Sequence, residues 1–137
     1  MKPIVIDNSA LIPLFLPDEQ ADFTMAVFQR CLAGSRLMTA SFCLIEFGNV
    51  IATSVRRKRL TEAEAAFAHK KLAELPVEFK ESVTGTSIPG IHDVAIRRDL
   101  SFYDALYLAL AMKEGASLAT LDEPLKKAAV AEGVEVL

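Results

Sequence analysis

Apolar positions in this chain follow two rhythms, short unbroken runs and longer stretches with helical spacing, and the two alternate along its length. Ile4-Val5-Ile6 is a β-branched run that stops at Asp7-Asn8-Ser9, a helix-start signal. A short helix to about Phe15 follows, and Pro17-Asp18 opens another that ends near Gly34. Leu37-Met38-Thr39 reads as a short buried strand. Ser41 then caps a long helix reaching about Arg59, with Leu44, Phe47, Ile51 and Val55 on one face. Thr61-Glu62-Ala63-Glu64 begins a further helix with acids in its first turn, as the helix dipole favours, and it ends before Pro76. Val77–Val83 alternates well enough for a strand, and a helix from about Ser87 to Arg98 carries Gly90 inside it. Ser101-Phe102-Tyr103-Asp104 has the capping-box pattern and opens a strongly apolar helix through Lys113, ended by Gly115. Ser117–Thr120 is a short strand. Pro124 stands at the start of the last helix, Gly133 closes it, and Val134–Leu137 is a terminal strand.

Strands alternating with helices predict an α/β fold with a mainly parallel sheet, and strands this apolar are those that helices cover on both faces. Residues 1–137 are read as a single domain, since the chain has one such pattern and no linker, repeat or low-complexity tract. In open parallel sheets, ligands gather beyond the carboxyl ends of the strands. Four carboxylates fall there. Asp7 directly follows the first strand, and Asp122 comes just after Ser117–Thr120. Glu46 lies in the second turn of the helix entered from the second strand, and Asp104 in the first turn of a helix that packs on the sheet.

Each of the four also has an ordinary structural reading. Asp7 and Asp122 could cap their helices, Asp104 could be the acidic partner of Ser101, and Glu46 could be a solvated helix residue. The conjunction is what points to chemistry. Carboxylates gathered at one sheet edge raise each other's pKa unless a cation neutralises them. Hard oxygen ligands without thiols, and with no histidine nearby in sequence, suit magnesium or manganese better than zinc.

Composition adds bounds. Hydrophobic residues make up 52% of the chain and the mean hydropathy is +0.30, so either the core is unusually large or an apolar patch is kept for a partner. No apolar run approaches the ~20 residues a bilayer span needs, and the N-terminal run is too short for a signal peptide. Cys31 and Cys43 lack metal-type spacing and read as reduced core thiols, in keeping with a cytoplasmic location. The net charge of −3 argues at first against a nucleic-acid ligand. Setting the four clustered carboxylates aside leaves 14 acids against 15 bases, so charge neither excludes RNA nor supports it.

Val5-Ile6-Asp7-Asn8-Ser9-Ala10-Leu11, Glu46-Phe47-Gly48-Asn49, Ser101 to Ala109 and Leu118-Ala119-Thr120-Leu121-Asp122 resemble the motifs of PIN-domain nucleases. In order, spacing and length the chain is most similar to the VapC-type toxins of toxin–antitoxin pairs. The resemblance implies a three-layer α/β/α sandwich and a Mg²⁺- or Mn²⁺-dependent endoribonuclease. It maps Asp7, Glu46, Asp104 and Asp122 onto the family's acidic site, with Asp7, Asp104 and Asp122 as metal ligands. Ser9 and Thr120 match the small hydroxyl positions beside the first and last acids, and Asn49 a polar position one turn after Glu46. Asn8 departs from the pattern, where a smaller side chain is usual, and residues 83 to 99 match poorly. An antitoxin partner and a homodimer are implied as well.

The basic run Arg56-Arg57-Lys58-Arg59 is either a solvated helix end or a phosphate grip at the rim of the acidic site. Lys70-Lys71 and Arg97-Arg98 have weaker claims to the same role. Tyr103 and Tyr107, four apart on an apolar helix, read as core or interface residues, and His69 and His92 as lone surface groups. Two other function classes compete. A phosphatase with an aspartyl nucleophile usually needs a second Asp two positions after the first, where this chain has Ser9. A non-catalytic PIN-like interaction module would not need all four acids.

Overall fold

The computed structural model describes residues Met1–Leu137. Four strands, β1 (Ile4–Ile6), β2 (Leu37–Ala40), β3 (Glu78–Lys80) and β4 (Ser117–Ala119), form one parallel sheet in the order β3-β2-β1-β4. Ile4 stands opposite Leu37 on one side and Ser117 on the other. β1 therefore has a neighbour on both edges and helices over both faces. All three of its residues are buried, which is why its sequence shows no alternation.

The strand order fixes the layers. β1 to β2 to β3 steps in one direction across the sheet, and β3 to β4 returns past both to the far side of β1. With right-handed crossovers, α1 (Asn8–Leu11), α2 (Asp22–Leu32), α3 (Phe42–Arg56) and α4 (Glu62–Glu74) fall on one face. α5 (Ile88–Arg98), α6 (Phe102–Glu114) and α7 (Glu123–Ala131) fall on the other. The packing agrees, for α6 touches β1, β2, β4, α5 and α7, while α1 touches α2 and α3. The result is the expected three-layer sandwich. The chain's direction of travel reverses between β1 and β4, which makes the gap beyond their carboxyl ends the topological switch point.

Local signals set most element ends. Thr61 and Glu64 close a complete capping box on α4, with bonds of 3.1 and 2.9 Å. Gly115 ends α6 in the left-handed conformation (φ 60°), where an L side chain is strained. Six expectations are revised. The helix after β1 stops at Leu11 and continues as a 3-10 turn, Ile12–Leu14, because Pro13 cannot donate to an α-helical ladder. α2 begins at Asp22 rather than Asp18, because residues 17–19 fold into a turn closed by the Glu19 N–H on the Leu16 carbonyl (3.2 Å), with Asp18 and Glu19 turned to Arg59. Ser41 precedes α3 without a side-chain capping bond, and α3 ends at Arg56, the backbone turning left-handed at Lys58. The terminal strand is reduced to one parallel bridge between Val136 and Leu118, and β3 to three residues.

The core is a single cluster that includes Phe47 and Ile51 of α3, Leu106 and Leu108 of α6, Leu125 of α7 and every residue of β1. No helix is long and apolar enough to cross a membrane.

Candidate active site

Asp7 is where β1 turns into α1. One carboxylate oxygen, Oδ1, accepts the Ala10 N–H (3.1 Å) and the Ser9 hydroxyl (2.7 Å). The other, Oδ2, accepts the Thr120 hydroxyl (2.5 Å). The capping role weighed from the sequence is therefore real, yet it occupies one oxygen only. The second reaches across the switch point to the loop after β4. The two hydroxyls also accept from that loop, Ser9 from the Leu121 N–H (3.0 Å) and Thr120 from the Asp122 N–H (3.1 Å). Ser9 and Thr120 thus staple the β1–α1 turn to the β4–α7 turn and hold Asp7 between them.

Asp122 caps α7, its Oδ1 accepting the Leu125 N–H at 2.9 Å, and leaves Oδ2 without a protein donor. Asp104 receives less from the protein. Its N–H donates to the Ser101 hydroxyl (3.2 Å), whose proximity also pulls the Asp104 pKa down, but the reciprocal backbone bond that completes the Thr61–Glu64 box is missing, so the carboxylate has no backbone donor. Glu46, half-buried on α3, accepts a hydrogen bond from the Tyr107 phenol of α6 on Oε1.

Electrostatics ties the four together. Burial raises the pKa of Asp7, against the lowering pull of its Thr120, Ser9 and Ala10 bonds, and the charge of Asp104 raises it further. Burial also raises Glu46, with the Tyr107 bond opposing and the charges of Asp7 and Asp104 adding to the rise. Asp104 is raised by burial and then by the charge of Asp122. Asp104 is the link among them, since its charge acts on Asp7 and Glu46 and it responds to Asp122. None is paired with a lysine or arginine, although eight close ion pairs form elsewhere on the molecule.

No three of these side chains close around one point as a finished metal cage. The residues still fit a hard divalent cation, because the donors are all oxygen, several carry no protein hydrogen bond, and their charge is uncompensated. An open cluster suits a cation that keeps several of its own waters, as Mg²⁺ does.

The remaining predicted residues divide. Asn49 is exposed on α3 and lines a small cavity with Thr53, Arg57 and Arg59, bonding to none of the four acids. Arg56, Arg57 and Lys58 are exposed and free of ion pairs, but Arg59 is held by Asp18 (2.9 Å) and Glu19 (3.2 Å). Arg97 and Arg98 both clasp Glu132, at 2.7 and 2.9 Å, which joins α5 to the end of α7. Lys71 reaches the Leu14 carbonyl and the Phe15 ring. His69 and His92 are exposed. Tyr103 is exposed and stacks on Phe42, with ring centroids 5.3 Å apart. Asn8 meets the buried Cys43, whose thiol burial pushes up to about 11.

Tyr107 is the residue whose role the sequence pattern hid. The available signal was its place three positions after Asp104, hence on the same helical face, combined with the rule that a buried phenol finds an acceptor.

The fold and site define an α/β domain with carboxylates gathered near its switch point. The chain belongs to the PIN-domain family, whose profile matches residues 4–131. A curated relative, Ribonuclease VapC3 of Pyrobaculum aerophilum, is 29% identical over 122 residues, covering 89% of this chain and 91% of that protein. PAE2754 of Pyrobaculum aerophilum superposes with a TM-score of 0.72 and 25% identity over 98% of this chain and 83% of that one. FitAcB of Neisseria gonorrhoeae gives a TM-score of 0.67 at 17% identity, covering 98% of this chain and 96% of that chain. VapC20 of Mycobacterium tuberculosis, a toxin described as cleaving the sarcin–ricin loop, gives 0.65 at 21% identity, over 91% and 94%. The last two share the fold with this chain.

Proposed function

We propose that this single-domain chain is a divalent-metal-dependent endoribonuclease, the toxin of a type II toxin–antitoxin pair. The observation that carries the reading is the set of four carboxylates linked through Asp104 near the switch point, none with a cationic partner. Asp7, Asp104 and Asp122 would hold Mg²⁺ or Mn²⁺, directly or through water. Bound there, the cation lowers the pKa of a water and offsets charge that develops at the phosphate. Ser9 and Thr120 keep the Asp7 carboxylate fixed, and Glu46 orients the attacking water through the oxygen that Tyr107 leaves free.

RNA approaches along α3. Glu46, Asn49, Thr53 and Arg57 are spaced 3, 4 and 4 residues apart and so share one helical stripe. From Glu46 to Arg57 the stripe is about 16 Å long at ~1.5 Å per residue. It leads from the acids to the unpaired cations Arg56, Arg57 and Lys58, which supports a phosphate grip upstream or downstream of the cut. Arg59 drops out of that grip because its charge is already used.

An antitoxin segment has a surface to cover in the apolar groove of about 390 Å³ between the 3-10 turn and α4, lined by Leu14, Phe15, Pro17, Leu60 and Phe67. Homodimerisation and action in the cytoplasm complete the proposal.

Cleavage-site mapping on total RNA tests it, with wild type compared with Asp7→Asn, with and without Mg²⁺ or Mn²⁺. Attack by water needs no 2′-hydroxyl, so the expected ends are 5′-phosphates, formed only by wild type with metal. Ends bearing 2′,3′-cyclic phosphate, or equal cleavage by Asp7→Asn, would overturn the reading.

A further inference from the structure

The Tyr107 side chain is 2% exposed, in the middle of an otherwise apolar stretch of α6. A buried phenol has to place its proton, and this one donates to Oε1 of Glu46, from the helix on the opposite face of the sheet. The contact joins residues 61 apart in sequence, and it passes beside the Cys43 thiol, which faces the same phenol. Cys43 and Phe47, at positions flanking Glu46 on α3, are buried at 1% and 2% exposure, so the helix turn that carries Glu46 is itself fixed. The carboxylate of Glu46 retains freedom about its own side-chain bonds, and Tyr107 is the only protein group that bonds to it.

We propose that Tyr107 is a positioning residue. Its phenol locks one oxygen of Glu46 so that the other faces the acidic pocket, and it acts on the reaction only through Glu46. The inference rests on the metal-dependent reading above. Three features favour this over a merely structural hydrogen bond. The acceptor is one of the four site acids. A phenylalanine of nearly the same shape would fill the space without a polar atom to satisfy. The charge-assisted bond is also of the kind that holds ligating side chains in a fixed orientation.

The test is a double-mutant cycle of Tyr107→Phe and Glu46→Gln, read by RNA cleavage kinetics and by the Mg²⁺ midpoint, meaning the Kd that the logarithmic thermal shift returns. Tyr107→Phe should lower kcat roughly 10- to 100-fold with KM little changed, the usual scale for losing an outer-shell partner. It should also raise the Mg²⁺ midpoint. In the Glu46→Gln background, removing the phenol should cost about 2-fold or less, since effects through a shared partner are not additive. Equal losses in both backgrounds, or a wild-type kcat and midpoint in Tyr107→Phe, would overturn the inference while leaving the nuclease reading intact. A wild-type protein with neither cleavage nor a Mg²⁺ response would overturn both.

A spectroscopic measurement keeps the test sharp even if Tyr107→Phe folds poorly. The chain has two tyrosines and no tryptophan, so Tyr103→Phe leaves Tyr107 as the sole intrinsic fluorophore. Tyrosine fluorescence of that variant should change saturably with Mg²⁺, at the midpoint of the thermal shift, and Glu46→Gln should abolish the change. An unresponsive signal at saturating Mg²⁺ would contradict the role.

Discussion

Carboxylates do opposite things at the two ends of this molecule. On the surface, Glu78 sits between Arg36 and Lys80, and those partners hold its pKa down at about 2, while Glu132 is lowered by Arg97 and Arg98. At the switch point, Asp7, Glu46 and Asp104 have raised pKa values and no cation to pair with. The same functional group is satisfied in one region and frustrated in the other. A fold gains nothing from gathering unpaired acids; they add repulsion and desolvation. The contrast marks the surface pairs as structural fastenings and the switch-point acids as groups kept ready for something that arrives.

The sharpest way to break this contrast is Asp7→Asn. It should reduce RNA cleavage by more than the roughly 100-fold upper range for outer-shell partners, because Asp7 is the most deeply buried of the four acids and is a proposed metal ligand itself. Its metal-free Tm should stay at or above wild type, since the amide removes a buried charge and can still cap α1. Next in size is Thr120→Val, which takes away the donor to Asp7 Oδ2 and the acceptor for the Asp122 N–H. A loss of roughly 10- to 100-fold in cleavage is expected, measured as kcat. Replacing Arg56, Arg57 and Lys58 with alanine should raise KM several-fold at low salt, flatten its salt dependence and spare kcat, as loss of phosphate contacts does. Glu132→Gln is the control from the satisfied region. It should destabilise the fold by no more than about 1 kcal/mol in urea unfolding and leave cleavage unchanged.

Acid separates the two regions by sign. For the raised groups the folded state binds protons more tightly than the unfolded chain. Their penalty is present at neutral pH and is relieved as pH falls through the raised values toward 3.8 for Asp and 4.5 for Glu. For Glu78 the stabilisation is present above 4.5 and is lost as pH falls toward about 2. The metal-free Tm advantage of Asp7→Asn over wild type should therefore shrink as pH drops from 8 to 4. A gap that widened toward acid would contradict the assignment.

Much of this was legible in the sequence where short-range chemistry decides the outcome. The β-branched run ending in Asp7, the Thr61–Glu64 box, Ser101 before α6 and Gly115 after it all act within four residues. The positions of Asp7 and Asp122 follow from strand ends and that of Asp104 from the Ser101 start of α6, so their approach to one edge could be argued from the order of elements. What could not be read depends on contacts far apart in sequence. Asp18 answers to Arg59, 41 residues away, rather than opening a helix, and that same pair removes Arg59 from the basic run. The Thr120 bond to Asp7 spans 113 residues and the Tyr107 bond to Glu46 spans 61, and neither leaves a local signature. Tyr107 looked like core because it is core; only its partner makes it more.

The proposed metal role requires that the uncompensated acids near the switch point take up a divalent cation. Thermal unfolding of the metal-free protein, titrated with Mg²⁺ beside Asp7→Asn, tests this most directly. Wild type should gain stability in proportion to the logarithm of Mg²⁺ concentration once that exceeds Kd, reaching about 2.7 kcal/mol at 100 times Kd, and Asp7→Asn should gain little over the same range. An equal rise in both proteins, or none in wild type, would contradict the account.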